Sequence, residues 1–311
     1  MGFLKRQRFI SVIGRKSAVP EGTWVKCPSC AQALYRAELE QHQFVCNHCN
    51  HHFRINARAR IDWLVDDGTF EERHAEIQSG DPLGFNVEEV GYSYSKRIRE
   101  AHDKTGLDEA AIMGVGTVEG YTCVLGVMDF SFRGGSMGSA FGEKFYRAAR
   151  DAVERRAPFI MICSSGGARM EEGILALMQM AKTADAIRQL NESAVPYITI
   201  LTDPTTGGVY ASFASLGDII LAEPGAHIGF AGPRLIQGAL KVTLPEGFQK
   251  AEYQFKHGFV DRIVNRTEMR DTLGRLVAYL SPSRHDEPVP ETADNHVENA
   301  GTNGADPSET P

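Results

Sequence analysis

Hydrophobic and polar positions repeat one unit along the middle of the chain. An apolar run ends near a glycine pair, and an amphipathic run follows. Tyr121–Phe130 leads to Gly134-Gly135 and then to Ser139–Arg156. Phe159–Ser164 ("FIMICS") leads to Gly166-Gly167 and then to Glu171–Leu190. Tyr197–Thr202 ("YITILT") leads to Gly207-Gly208 and then to Val209–Leu216. The pattern predicts a strand, a tight turn and a helix, three times over. The second helix has the clearest period, with Ile174, Leu177, Met178, Ala181 and Ala184 on one face. Glu171 and Glu172 fall in its first turn, where negative charge suits the helix dipole. Strands of near-continuous apolar character alternating with helices predict parallel strands buried on both faces, so the fold class is α/β.

The same pattern divides the chain. Residues 1–22 form a basic lead-in, 23–56 a compact module rich in Cys and His, and 57–282 the α/β domain. Residues 283–311 contain no aromatic residue, Leu, Ile or Met. Such a segment buries too little to offset its ordering entropy, which predicts a disordered acidic tail.

Composition adds limits. With 311 residues, 42% of them hydrophobic, the chain can build a sizeable core and one small extra module. Net charge is −7 but uneven. The first sixty residues hold ten Lys/Arg against three Asp/Glu, and residues 285–311 hold seven Asp/Glu and no Lys/Arg. A basic amino end suits an anionic partner as well as a solvated surface, so nucleic-acid binding stays open as a second class of function. No run of eighteen apolar residues exists, so no membrane-spanning helix is expected. The start carries basic residues without an apolar core of the secretory kind, so a cytoplasmic protein is the expectation.

Four of the six cysteines are paired. Cys27 and Cys30 form "CPSC", Cys46 and Cys49 form "CNHC", and fifteen residues separate the pairs. That spacing is that of a zinc ribbon: each pair offers two thiolates on a tight knuckle, and two knuckles complete a tetrahedral shell. His42, His48, His51 and His52 stand near enough to substitute. The simpler shell is all cysteine, which leaves those histidines at the surface. Four protein ligands close the shell, so one structural zinc is expected rather than a catalytic one.

The glycine pairs invite two readings. Gly134-Gly135-Ser136-Met137-Gly138 matches the nucleophile elbow of serine hydrolases. Asp203 or Asp218 with His227 or His257 would supply a triad in the order Ser, Asp, His. The second and third turns carry the glycine pair without that serine, so glycine is the repeated element. Backbone N–H groups at a helix start are unpaired, and glycine lets a ligand approach them. Two turns on neighbouring strands can aim donors at one carbonyl oxygen, which makes Gly166, Gly167, Gly207 and Gly208 candidates for an oxyanion hole. Phosphate-loop and dinucleotide fingerprints are absent.

Taken together, "CPSC…CNHC", "FRGGSMGS", "SSGGARMEEG", "LMQMAKT", "TDPTTGGV", "GDIILAEPGAHIGFAGPR" and "HGFVDRIV" resemble the beta subunits of bacterial-type acetyl-coenzyme A carboxylase carboxyltransferases. The resemblance runs from about Trp24 to Leu280. It implies a crotonase-like ββα spiral behind an N-terminal four-cysteine zinc ribbon. It implies transfer of a carboxyl group from carboxybiotin to acetyl-coenzyme A, giving malonyl-coenzyme A for fatty acid synthesis. It implies an alpha subunit of related fold in an α2β2 heterotetramer, biotin held in trans on a biotin carboxyl carrier protein, and a biotin carboxylase that loads it. Carried over by motif, Gly166-Gly167 and Gly207-Gly208 are expected to hold the thioester oxygen. Gly134 and Gly135 are expected to open the first helix and shape the coenzyme A channel, with Arg133, Arg169 and Arg234 as partners for its phosphates. A carboxyltransferase for another acyl-coenzyme A is the alternative. The ribbon and the absence of a second fused half favour acetyl.

Overall fold

In the computed structural model of this chain, residues 23–281 are described; the lead-in 1–22 and the tail 283–311 lie outside the described residues. Strands β1 (Trp24–Lys26) and β2 (Ala33–Tyr35) and helix α1 (Arg36–Gln41) make the ribbon module. Helix α2 (Ala57–Leu64), strands β3 (Glu71–Arg73), β4 (Asn86–Val87) and β5 (Tyr92–Ser93) and helix α3 (Tyr94–Thr105) follow. The repeating part comprises β6 (Ala111–Val118), β7 (Tyr121–Met128), α4 (Ser139–Arg155), β8 (Phe159–Ser165), α5 (Gly173–Glu192), β9 (Tyr197–Thr206) and α6 (Gly207–Tyr210). Strands β10 (Ile219–Ala222) and β11 (Ile228–Gly229), helices α7 (Pro233–Leu240) and α8 (Ala251–Lys256), strand β12 (Arg262–Ile263) and helix α9 (Arg266–Leu280) complete it.

The main sheet runs in the order β12-β10-β9-β8-β7-β6-β3, with β11 also paired to β9. Pairings from β7 through β12 are parallel, while β3, β6 and β7 pair antiparallel. Strands β8 and β9 are direct neighbours, so the second and third glycine turns leave the same edge of the sheet.

The unbroken apolar runs follow from burial on both faces. Phe159, Met161 and Cys163 point into one core with Tyr197 and Leu201, beneath Phe141 and Phe145 of α4 and Ala186, Ile187 and Leu190 of α5. Ile160, Ile162, Ile198 and Ile200 point into the other, with Ile61 and Leu64 of α2 and Met269, Leu273 and Val277 of α9.

Two elements depart from the pattern. The third helix, expected over Val209–Leu216, is a four-residue α6 followed by one 3-10 turn at Phe213–Ser215. The Ser212 hydroxyl donates to Gly208 O at 2.6 Å, a side-chain bond that competes with continued helix. In α5 the expected stripe does not face either core. Ile174, Leu177 and Met178 are more than half exposed, and Ala181 is exposed as well. The inward face is Ala176, Gln179, Thr183, Ala186, Ile187 and Leu190.

Candidate active site and metal centre

Each cysteine pair folds as a knuckle. Ala31 N–H donates to Cys27 O and Asn50 N–H to Cys46 O, both at 2.9 Å, and Ala31 and Asn50 take left-handed backbone angles that turn the chain back. The two knuckles oppose each other. Cys27 Sγ lies 3.7 Å from Cys49 Sγ, Cys30 Sγ lies 3.9 Å from Cys46 Sγ, and all four sulfurs fall within 4.8 Å of one another. A tetrahedron with Zn–S bonds of about 2.3 Å has sulfurs about 3.8 Å apart, so the four thiolates fit one zinc ion. Among the described residues this is the one such cluster, and no histidine joins it. Leu34, Leu39, Cys27 and Cys46 form the ribbon's small core.

His52 corrects the expectation of surface histidines. It is buried: its Nδ1 pairs with Asn50 O at 2.9 Å and its Nε2 accepts from Arg266 N–H at 3.2 Å. Burial holds it below its ordinary pKa, against the pull of Glu223. The Arg266 guanidinium also donates to Gln43 O at 2.9 Å, so α9 grips the ribbon backbone. Beneath lies a buried triad. Glu223 accepts from Arg60 at 2.7 Å and from Arg266 at 2.7 and 2.8 Å. Burial alone would raise the Glu223 pKa, but Arg60 and Arg266 more than reverse it and hold the carboxyl well below its usual value. The ribbon therefore docks near the carboxyl ends of β7, β8 and β9, where Arg54 stacks over Phe130 at 4.2 Å and bonds Asp203 at 3.2 Å.

The second and third glycine turns touch. A Cβ placed on Gly167 would lie 3.3 Å from Gly207 Cα and 3.4 Å from Gly208 N, while one on Gly207 would lie 3.0 Å from Gly167 Cα. Gly207 has φ +60° and Gly167 φ +122°, both in the region that favours glycine. Three of the four candidate donors are engaged within the chain. Gly166 N–H donates to Gly134 O at 2.9 Å, Gly167 N–H to Ser165 Oγ at 2.9 Å, and Gly207 N–H to Phe230 O at 3.1 Å. Gly208 stands second in α6, where an N–H has no acceptor within its own helix. Ala168 lies beside it: its nitrogen is 3.7 Å from the Cβ position of Gly208. Met137 N–H donates to Gly167 O and Arg169 N–H to Met137 O, at 2.9 and 2.8 Å, so the first turn pairs with this segment on either side of Ala168. Ala168 had no signal of its own in the sequence beyond following a glycine pair.

The first turn serves the second. A Cβ on Gly135 would lie 2.0 Å from Ser164 O, so this glycine permits backbone-to-backbone contact rather than opening α4, which starts at Ser139. Glu172 caps α4 instead, accepting from Ser139 N–H at 2.6 Å and Ser139 Oγ at 2.7 Å. Ser136 is no nucleophile in this geometry. Its hydroxyl donates to Arg133 O at 2.9 Å and accepts from Arg169 Nε at 3.1 Å. Of the other triad candidates, Asp218 accepts from Tyr197 N–H, Asp203 accepts from the His227 backbone N–H, and His257 pairs with Tyr253 O.

Of the three arginines, Arg169 needs correction. Arg169 is completely buried and out of reach of a ligand phosphate. Burial would lower its pKa, but Glu109 reverses that and raises it. Arg133 is tied to Glu171 and bonds Tyr92 Oη at 2.9 Å. Arg234 falls in α7, and its side chain lies outside the described residues. No described helix is long and apolar enough to cross a membrane.

Known proteins are similar to this chain in sequence and in fold. The carboxyl transferase domain family matches residues 54–310, and the acetyl-CoA carboxylase zinc finger domain family matches residues 24–49. The acetyl-coenzyme A carboxylase carboxyl transferase subunit beta of Desulforamulus reducens is 52% identical over 260 residues, 84% of this chain and 88% of that one. A protein of Natranaerobius thermophilus described as subunits beta/alpha is 48% identical over 262 residues, 84% of this chain and 42% of that one. Among solved structures, transcarboxylase 12S superposes with a TM-score of 0.61 at 23% identity, over 78% of this chain and 43% of that chain. A Pseudomonas malonate decarboxylase hetero-tetramer superposes at 0.59 with 24% identity, over 74% and 84%. At such identities these two speak for the fold.

Proposed function

The chain belongs to the carboxyl transferase family, among the beta subunits of acetyl-coenzyme A carboxylase, and from that premise we propose that it carries acetyl-coenzyme A through carboxylation to malonyl-coenzyme A. Carboxybiotin, the second substrate, arrives on a carrier protein and supplies the carboxyl group and the base for the methyl proton. This chain's task is to hold the thioester and stabilise the oxygen that turns negative as the enolate forms. No side-chain nucleophile is needed, only donors fixed where charge develops.

The observation that carries the reading is the contact between the second and third glycine turns. The Ala168 nitrogen lies 3.7 Å from the Cβ position of Gly208, while the N–H groups of Gly166, Gly167 and Gly207 are engaged inside the chain, which supports Gly208 and Ala168 as the donors. We assign that pair as the thioester oxyanion donors. The coenzyme A channel is assigned to the surface around these turns, without Arg169. The zinc holds the ribbon's two knuckles together and takes no part in the chemistry.

The site is half a site. An apolar face surrounds the turns: Met170, Ile174, Leu177 and Met178 on one side and Phe230 on the other, all more than half exposed. Contiguous exposed apolar surface of this kind marks a partner site. The partner proposed is the alpha subunit, in an α2β2 assembly that also works with biotin carboxylase and the carrier protein. The Natranaerobius protein carries both descriptions in one chain, which supports the pairing. The test is reconstitution. The chain mixed with its alpha partner and carboxylated carrier forms malonyl-coenzyme A, and the chain alone does not. Full turnover by the chain alone would overturn the shared site.

A further inference from the structure

Arg169 is the largest fully buried side chain of the described residues and follows Ala168 directly. Its guanidinium bonds four separate segments, at Ser79, Tyr94, Glu109 and Ser136. Nη2 donates to Ser136 O at 2.6 Å and also to Glu109 Oε1; Nε donates to Ser136 Oγ at 3.1 Å. Nη1 donates to Ser79 Oγ at 2.7 Å and Glu109 Oε2 at 3.2 Å. Glu109 is itself fixed, accepting from Ala110 N–H at 2.6 Å and Ser79 Oγ at 2.5 Å. A planar five-donor group satisfied on every edge cannot rotate without breaking several bonds. The backbone of the same residue donates to Met137 O, so residues 167–169 are held to the first turn by main chain and side chain together.

We propose that Arg169 is a positioning residue: through Ser136, Glu109 and Ser79 it fixes the Gly167–Arg169 segment and thereby the direction of the Ala168 N–H. A buried ion pair adds little stability over apolar packing, so its presence beside the donors calls for another reason. Orientation supplies one, because a displacement near 1 Å can cost about a hundredfold in rate. This inference rests on the oxyanion assignment above. It also gives the elbow-like Ser136 a role: an anchor for a guanidinium.

The test uses the complex with the alpha chain and two variants. Arg169→Lys keeps the charge and loses the fork. Ser79→Ala removes one anchor, contributed by a partly exposed loop ninety positions earlier in the sequence. Expected for Arg169→Lys is a fall of about a hundredfold in kcat for malonyl-coenzyme A formation, with KM for acetyl-coenzyme A within about threefold. Ser79→Ala falls by about fivefold in the same sense. Difference infrared spectra of bound acetyl-coenzyme A, labelled at the carbonyl carbon, show the carbonyl band moving back toward its position in solution. A merely structural role would lower the folded fraction and leave that band in place. Wild-type kcat and an unshifted band in folded Ser79→Ala, or an Arg169→Lys loss matching its loss of folded complex, overturns the proposal. Wild-type turnover in the same assay tests the carboxyltransferase reading separately.

Discussion

Gly208→Val perturbs the proposed donor pair at its centre. A Cβ at Gly208 lies 3.2 Å from Met180 Sδ, 3.4 Å from Ala168 Cβ and 3.7 Å from Ala168 N. Its φ is not left-handed, so the backbone accepts an L residue. The one tight contact is to a thioether, which can move aside. Overpacking should then cost about 1–2 kcal/mol, and the complex should still assemble. Function should suffer far more. The valine methyls branch from that Cβ beside the Ala168 N–H and crowd the space the thioester oxygen needs. Loss of one oxyanion donor costs about 10²–10³ in rate, and blocking the position both donors serve should reach at least the upper figure. Gly207→Ala makes the control. Its φ is +60° and its Cβ would lie 3.0 Å from Gly167 Cα and 3.2 Å from Gly166 O, so strain falls on backbone and shows first as lost stability. Steady-state malonyl-coenzyme A formation by the reconstituted complex gives kcat, and gel filtration gives assembly. Wild-type kcat in assembled Gly208→Val would refute the donor assignment.

The other expected outcomes probe other residues. Metal analysis should find one zinc per chain, lost in Cys27→Ala, and chelation should lower the melting temperature because metal binding and ribbon folding are linked; a folded, zinc-free wild type would contradict the four-thiolate site. Ser136→Ala should keep activity within about tenfold, since a true nucleophile would lose nearly all turnover. Glu223→Gln should destabilise the fold by about 3 kcal/mol or more in thermal melts, because it leaves Arg60 and Arg266 buried without their counter-charge. Glu223's folded pKa is depressed, so its contribution is complete above the ordinary carboxyl value of 4.5 and is lost only as pH falls through the lower folded value; a melt unchanged by the substitution at pH 7 would count against the triad. Leu177→Asp together with Met178→Glu should abolish binding of the alpha chain while leaving the melting temperature of the isolated chain within a few degrees; unimpaired assembly would remove that face from the interface.

Strand positions were legible because they depend on local composition. Phe159–Ser164 and Tyr197–Thr202 each follow a proline and end at a polar position, and burial on both faces demands unbroken apolar sequence, so both runs reappear as β8 and β9. The four cysteines were legible for a similar reason: ligand spacing is a short-range constraint that one chain must satisfy by itself. The donors were less so. That Gly166 and Gly207 use their N–H groups internally depends on Gly134 and Phe230, which only the fold brings near, while Gly167 is taken by the Ser165 hydroxyl two positions before it, a local bond that the glycine pair gives no sign of. Arg169 misled for the same reason. Next to a glycine turn an arginine reads as a phosphate ligand, and nothing local says that Glu109, sixty positions earlier, lies against it.

The stripe on α5 carries a different lesson. Ile174, Leu177, Met178 and Ala181 have the period of a buried face, yet that face is exposed and the inward face includes Gln179 and Thr183. Thr183 bonds back to Gln179 O at 2.9 Å and the Gln179 amide nitrogen to Leu175 O at 2.9 Å, while Gln179 Oε1 is buried without a hydrogen-bond partner. Periodicity reports that a face is apolar; it does not say whether the cover comes from the same chain or another. On a chain that completed its own active site, such a face beside the catalytic turns would be an aggregation hazard. Beside the turns to which the thioester donors are assigned, it has a direct use under the proposed shared site: the surface on which the partner docks would also exclude water from the reaction. The apolar face and the proposed donors are then two aspects of one proposal, joined by α5 starting at Gly173, five residues after Ala168.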